Sequence, residues 1–192
     1  MVKEVDEFLM GESKVHQTLE RFAQRLDALN IDFALAGGLA VGFHGHLRLT
    51  VDVDIVITAE DLGRFKEAWL GRGYIEKFPG SRGVKDTQSA VSIDFLIAGH
   101  YPGDGRPKPV RFPEPSSIPR EDEPFRLLGL KTLIELKLAS GLTAPDRLID
   151  FADVIALVRA NQLEKDLADS LDESVRPKYL ELWGAAQTQS DY

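Results

Sequence analysis

Ala36–Ile57 reads AGGLAVGFHGHLRLTVDVDIVI, and two of its features decide the fold: a glycine pair where an apolar segment gives way to a helix, and a carboxylate pair inside a Val/Ile strand. The residues before it, Ile31–Ala36 (IDFALA), are apolar enough for a buried strand, and Gly37-Gly38 permits a tight turn into a short helix over 39–45. Glycines at such a turn let backbone come close to a ligand. They also leave amide N–H groups at the positive end of a helix, a place suited to phosphate. An ordinary strand-to-helix turn uses the same pair, so the glycines alone leave both readings open.

The second half is more demanding. In Val51–Ile57 (VDVDIVI) side chains alternate across the strand, so Asp52 and Asp54 share one face while Val51, Val53 and Ile55 share the other. Aspartate is a poor strand former and neighbouring carboxylates repel, so the pair costs stability unless a cation or buried donor lies between them. Mg²⁺ meets that need, because it takes oxygen ligands and commonly one or two carboxylates plus substrate phosphates. A solvated edge strand is the plainer alternative. Ser89–Ala98 (SAVSIDFLIA) is a second strand whose only charge is Asp94, and an isolated acid in so apolar a strand calls for a partner or a metal. If the two strands are neighbours, three carboxylates meet at one spot, an arrangement suited to metal-assisted phosphoryl or nucleotidyl transfer.

Taken together, Gly37-Gly38, the helix, Arg48 and Thr50, Asp52-Val53-Asp54 and the later Asp94 resemble the signature of the nucleotidyltransferase superfamily: a GG or GS turn, a DxD or DxE strand and a third acid. Within it, the run GGLAVGFHGHLRLTVDVDI is most similar to the toxin half of AbiE-type toxin–antitoxin systems. The resemblance covers residues 31–98 and departs at Gly38, where many active members carry a serine whose hydroxyl meets a phosphate. It implies a polymerase-β-like minimal nucleotidyltransferase fold of α/β (α+β) class, with a mixed sheet flanked by helices. It further implies Asp52, Asp54 and Asp94 as catalytic and metal-binding residues for Mg²⁺, with Gly37, Gly38, Arg48 and Lys137 around an NTP. The acceptor it implies is RNA, tRNA above all, with a cognate antitoxin as partner. A small-molecule acceptor such as an aminoglycoside or lincosamide hydroxyl is the rival, and an inert nucleotide-binding protein of the same fold is the rival from another class.

The remaining chain fills in around this stretch. Its 192 residues, 43% apolar, suffice for one compact unit with a helical addition; the expected division is a core over 1–124 and a helical region over 125–192. There is no cysteine, which removes disulfides, thiolate metal sites and thiol nucleophiles. The acidic N-terminus MVKEVDEFLMGESKV does not read as a signal peptide and no segment has the apolar length of a membrane span, so the expected compartment is the cytoplasm. A net charge of −8 argues against broad electrostatic capture of nucleic acid, and DNA is not an expected partner.

In chain order, Val15, Leu19, Phe22, Leu26 and Leu29 form the apolar stripe of a helix over 12–29, closed by Asn30. His44 and His46 lack a third nitrogen ligand and stay outside the metal site. Arg48 either meets a substrate phosphate or neutralises the acids. Thr58–Asp61 starts a helix with Leu62, Phe65 and Trp69 inward, Gly71 and Gly73 end it, and residues 74–78 form a short strand followed by a loop over 79–88 carrying Arg82 and Lys85. Residues 100–124 are rich in proline and glycine, with one short strand over 110–112. Residues 130–140 form a helix stopped by Gly141, and TAPD (143–146) starts another with Leu148, Phe151, Ile155 and Val158 inward. Lys131, Lys137, Asp150 and Asp153 are its chemical candidates; the resembled family carries a lysine on one helix and an aspartate on the next, which Lys137 with Asp150 or Asp153 matches. Trp183 and Leu180 dock the terminal helices, and a polar tail follows.

Overall fold

In the computed structural model, which describes residues 13–120 and 124–188, these patterns become a six-stranded mixed sheet with helices. The acidic N-terminal stretch through residue 12 and the end of the polar tail lie outside the described residues. The described residues form two compact units, one made of residues 13–40, 47–98, 113–120 and 124–128, the other of residues 41–46, 99–112 and 129–188. No helix among the described residues is long and apolar enough to cross a membrane.

The first unit holds the sheet. Helix α1 (Lys14–Asp27) is capped by Ser13, whose hydroxyl accepts the N–H of His16, and Asn30 at φ 50° turns the chain out of it. Strand β1 (Ala34–Leu35) follows, then the short helix α2 (Gly37–Phe43) and strand β2 (Asp52–Ile57). Helix α3 (Ala59–Trp69) begins where Thr58 accepts the N–H of Asp61 and donates its hydroxyl to the Asp61 carboxylate. Strands β3 (Tyr74–Glu76), β4 (Val84–Asp86), β5 (Ser92–Ile97) and β6 (Arg126–Leu127) complete the sheet, in the spatial order β3-β4-β5-β2-β1-β6.

At the centre β2 and β5 run parallel, with β1 antiparallel to β2 and β4 antiparallel to β5. Period-two alternation sorts their side chains. Val53, Ile55, Ile57, Ile93, Phe95 and Ile97 are buried on one face, where Phe22 of α1 and Phe65 of α3 meet Phe95 at ring-centroid distances of 5.8 and 5.7 Å. Phe22 also stacks edge-on with Phe65 at 5.0 Å and Tyr74 at 6.0 Å, and truncating so central a ring to alanine is expected to cost about 3–5 kcal/mol. The other face of the same strands carries Asp52, Asp54 and Asp94. The helices therefore anchor the sheet from behind, and the acids stand on the side they leave uncovered.

The second unit is helical: α4 (Leu130–Thr143), α5 (Leu148–Ala160), α6 (Leu167–Ser170) and α7 (Arg176–Gln187). Tyr179 of α7 is fully buried and donates its hydroxyl to the Glu164 carbonyl at 3.0 Å; burial pushes its phenol up to about 12.

Several local expectations are corrected. The loop over 79–88 contains β4, so Lys85 sits on a strand with its side chain outward. Residues 110–112 form no strand; Phe112 instead exchanges hydrogen bonds with Gly99 and His100. Gly141 does not stop a helix: α4 runs through it, because a Cβ there would lie 2.6 Å from the Phe151 ring and the glycine is what lets α5 approach. The next helix starts at Leu148, after TAPD rather than within it, and Leu148 is exposed. Its buried face is Asp150, Asp153, Val154, Leu157 and Val158. In α7 the docking residue is Tyr179, while Leu180 is exposed; Trp183 contributes by donating its indole N–H to the Leu163 carbonyl at 2.9 Å.

Candidate active site

Register brings the acids together. Asp54 and Asp94 are direct partners across the parallel β2–β5 pair, and Asp52 is two residues before Asp54 on the same face, opposite Ser92. All three are half-buried, open to a ligand yet seated in a sheet whose reverse side is apolar core.

The glycine pair lies against them. Gly37 has φ +60°, and a Cβ there would sit 1.8 Å from Asp54 Oδ2. Conformation and space both demand glycine at that position, and the Ala36 N–H donates to the Asp54 carbonyl at 2.9 Å, tying the turn to the acid strand. Around Gly38 the space is already taken: a Cβ would meet Thr50 Oγ1 at 2.9 Å, Thr50 Cβ at 3.0 Å and an Arg48 guanidinium nitrogen at 3.1 Å. The hydroxyl and cation of Arg48-Leu49-Thr50 thus occupy the volume a serine at position 38 would need. Thr50 is buried and donates its hydroxyl to Asp52 Oδ1 at 2.8 Å, fixing that carboxylate's orientation.

One cation on this face was not anticipated. Lys77, just past β3, reaches both oxygens of Asp94 at 2.9 and 3.0 Å. Arg82, considered from the sequence, is exposed, and nothing in the linear pattern marks Lys77 ahead of it; its position comes from the β3–β4 pairing, which sequence alone did not reveal.

The donor set suits Mg²⁺ as far as it goes. Asp52 and Asp54 supply hard oxygens at the spacing of one strand repeat, but among the described residues no group of three or more His, Cys, Asp or Glu side chains is placed to hold an ion by itself. An ion with two carboxylates at most needs substrate oxygens to complete its shell, as is usual for Mg²⁺.

The remaining candidates belong to the helical unit. Lys137 is buried and pairs with Asp150 Oδ1 at 3.0 Å and Asp153 Oδ2 at 2.7 Å. His44 and His46 lie in the loop after α2, where the His44 carbonyl accepts from Asn161 at 2.8 Å. Lys131 is exposed on α4.

No family model matches the sequence, and no curated protein does. The fold does have solved counterparts. The chain is similar to ANT(2'')-Ia in complex with adenylyl-2''-tobramycin, with TM-score 0.55 and 13% identity over 86% of this chain and 96% of that one. A solution structure of the antibiotic-resistance factor ANT(2'')-Ia gives TM-score 0.50 and 16% identity over 87% and 94%. At such identities the likeness speaks for the architecture, and the architecture is a nucleotidyltransferase-like fold: a mixed α+β sheet flanked by helices.

Proposed function

We propose that the protein is a nucleotidyltransferase that moves a nucleoside monophosphate from an NTP to a hydroxyl of a small-molecule acceptor. The observation that carries this is the register of β2 and β5, which sets Asp54 beside Asp94 with Asp52 on the same face and the Gly37 backbone pressed against Asp54. A glycine forced by contact with a carboxylate is the geometry of a backbone turn lying over an acidic site.

In this reading Asp52 and Asp54 hold Mg²⁺ together with the triphosphate, and Thr50 keeps Asp52 aimed. Bound there, the ion would offset phosphate charge and polarise the reacting phosphoryl group. Amide groups at Gly37 and Gly38 and the guanidinium of Arg48 face the phosphates. Asp94 takes the proton of the acceptor hydroxyl as its oxygen attacks the α-phosphorus. The bond from that phosphorus to the bridging oxygen breaks, and pyrophosphate leaves. Lys137 was expected among the nucleotide ligands; to act so, it must exchange one of its two carboxylate partners for phosphate.

Two facts favour a small acceptor over RNA. The similar structure holds an adenylylated small molecule, whereas the RNA and antitoxin reading rests on sequence resemblance alone. A chain with 31 acids against 23 bases also draws small cations and repels polyanions, which suits a polyamine-like acceptor such as an aminoglycoside.

The test is incubation of the purified protein with each α-labelled NTP and Mg²⁺, offering aminoglycosides, lincosamides and total RNA in separate reactions beside an Asp52→Ala control. Label on a small molecule that disappears in the control is the expected result. Label on RNA alone would restore the RNA-directed reading, and tight NTP binding without any transfer would make the protein an inert binder.

A further inference from the structure

The acid face carries a positive charge that the reaction as written leaves unused. Lys77 places its ammonium against both oxygens of Asp94, at 2.9 and 3.0 Å, and the chain is shaped to keep it there. The Lys77 N–H donates to the Gly83 carbonyl at 3.3 Å across the start of the β3–β4 hairpin. Gly83 is buried and is not among the positive-φ glycines, so its backbone does not require glycine. Space does: a Cβ would lie 2.5 Å from Asp94 Oδ1, 2.8 Å from Lys77 Cδ and 3.1 Å from the Ile93 carbonyl. The missing side chain opens the slot in which the lysine stem passes to the carboxylate.

A divalent ion that used Asp94 as a ligand would need one of those oxygens and would meet the ammonium within a few ångströms, with like-charge repulsion in a half-buried site. The acids agree with this: no three of them are placed to share an ion. From this geometry we infer that Lys77 is a positioning residue for nucleotidyl transfer, its ammonium standing where a second divalent cation would otherwise sit at Asp94, so that the protein works with one divalent ion, held at Asp52 and Asp54. The inference rests on the function proposed above. Lys77 then does for Asp94 what a metal would do, orienting the carboxylate toward the acceptor hydroxyl and balancing its charge, at a fixed position that no metal concentration alters.

Ion counting decides it without reference to turnover. The full chain is titrated with Mn²⁺ in the presence of the α,β-methylene analogue of ATP, GTP, CTP and UTP in turn, free Mn²⁺ being followed by its paramagnetic resonance signal. One ion per chain is expected for the wild type, none for Asp52→Asn, one for Lys77→Arg, which keeps the charge, and two for Lys77→Met. Gly83→Ala, which pushes the lysine stem aside, is expected to follow Lys77→Met. Two ions per wild-type chain, with Asp52→Asn abolishing binding, would overturn the role of Lys77 and leave the proposed function standing. A count of one in Lys77→Met would overturn it equally. No binding with any analogue would overturn the proposed function, and this inference with it. The wild-type count needs no variant, so poor folding of a mutant cannot shelter the idea.

Discussion

Two of the lysine–aspartate groups among the described residues share their chemistry and differ in their surroundings. In the sheet unit Lys77 meets Asp94, and each side chain is about one-third exposed (33% and 35%). In the helical unit Lys137 meets Asp150 and Asp153, with exposures of 7%, 9% and 1%. Water separates their roles. An ion pair at the surface contributes about 0–1 kcal/mol, because solvent competes for both partners and ordering costs side-chain entropy. Ions taken out of water depend on one another, since loss of one leaves the others charged and unsolvated. The second group ties α4 to α5 through buried charge, whereas water reaches both partners of the first.

The largest effect should come from the two acids proposed to hold the ion. Asp52→Asn or Asp54→Asn is expected to lower the transfer rate by on the order of 10⁴-fold, about 5 kcal/mol of barrier, while the melting temperature stays near that of the wild type. Initial rates with labelled NTP and a thermal melt on the same preparation check both halves. An asparagine variant that melts far below the wild type would show that these carboxylates are structural after all.

Next comes the buried group. Lys137→Met strands two buried carboxylates and is expected to cost about 3–5 kcal/mol, read from urea unfolding as a lower midpoint at unchanged slope. The sharper version removes all charge at once: Lys137→Met with Asp150→Asn and Asp153→Leu should recover part of the loss, because no buried ion is then left without a counter-charge. Smaller again is Gly141→Ala. Its Cβ would meet the Phe151 ring at 2.6 Å, so α4 and α5 must part, at about 1–3 kcal/mol, and the Lys137 pairs must lengthen with them.

How much of this was legible beforehand differs between the two regions for a physical reason. Around the sheet, alternation in VDVDIVI and SAVSIDFLIA put Asp52, Asp54 and Asp94 on the observed faces, because one face of each strand is packed with aliphatic side chains and period two leaves no choice. The same rule fails for Val51, which lies before β2 and is 80% exposed. In the helical unit the apolar-stripe argument chose Leu148, Phe151, Ile155 and Val158 as the inner face of α5; Val158 is buried, but Leu148 is exposed and the inner face includes Asp150 and Asp153. A buried polar cluster inverts the expected pattern, and only its partner on another helix reveals it. Gly141 misled in a similar way, for a glycine that ends a helix and one that admits a neighbouring ring look alike in sequence. Lys77 was hidden because β4 is three residues long and lies in a stretch whose proline and two glycines read as loop. Without that strand, Lys77 has no reason to face Asp94.

The smallest effect is the most informative about the comparison, because it repeats one substitution in the other setting. Lys77→Met removes the same ammonium from the same kind of carboxylate, but Asp94 is a third exposed and regains water when its partner goes. The expected loss of stability is at most about 1 kcal/mol, against the several expected for Lys137→Met, and the two differ only in what surrounds the charge. Salt should separate them further: raising ionic strength screens an exposed pair within a Debye length of roughly 10 Å at 0.1 M, so the small difference between wild type and Lys77→Met should shrink toward zero in 0.5 M NaCl while that of Lys137→Met persists. Urea midpoints at low and high salt for the two variants measure this directly. Equal penalties at both sites would mean that Asp94 is as dependent on its lysine as the buried pair is, and the acid face would then have to be treated as part of the scaffold instead of a surface free to receive a nucleotide.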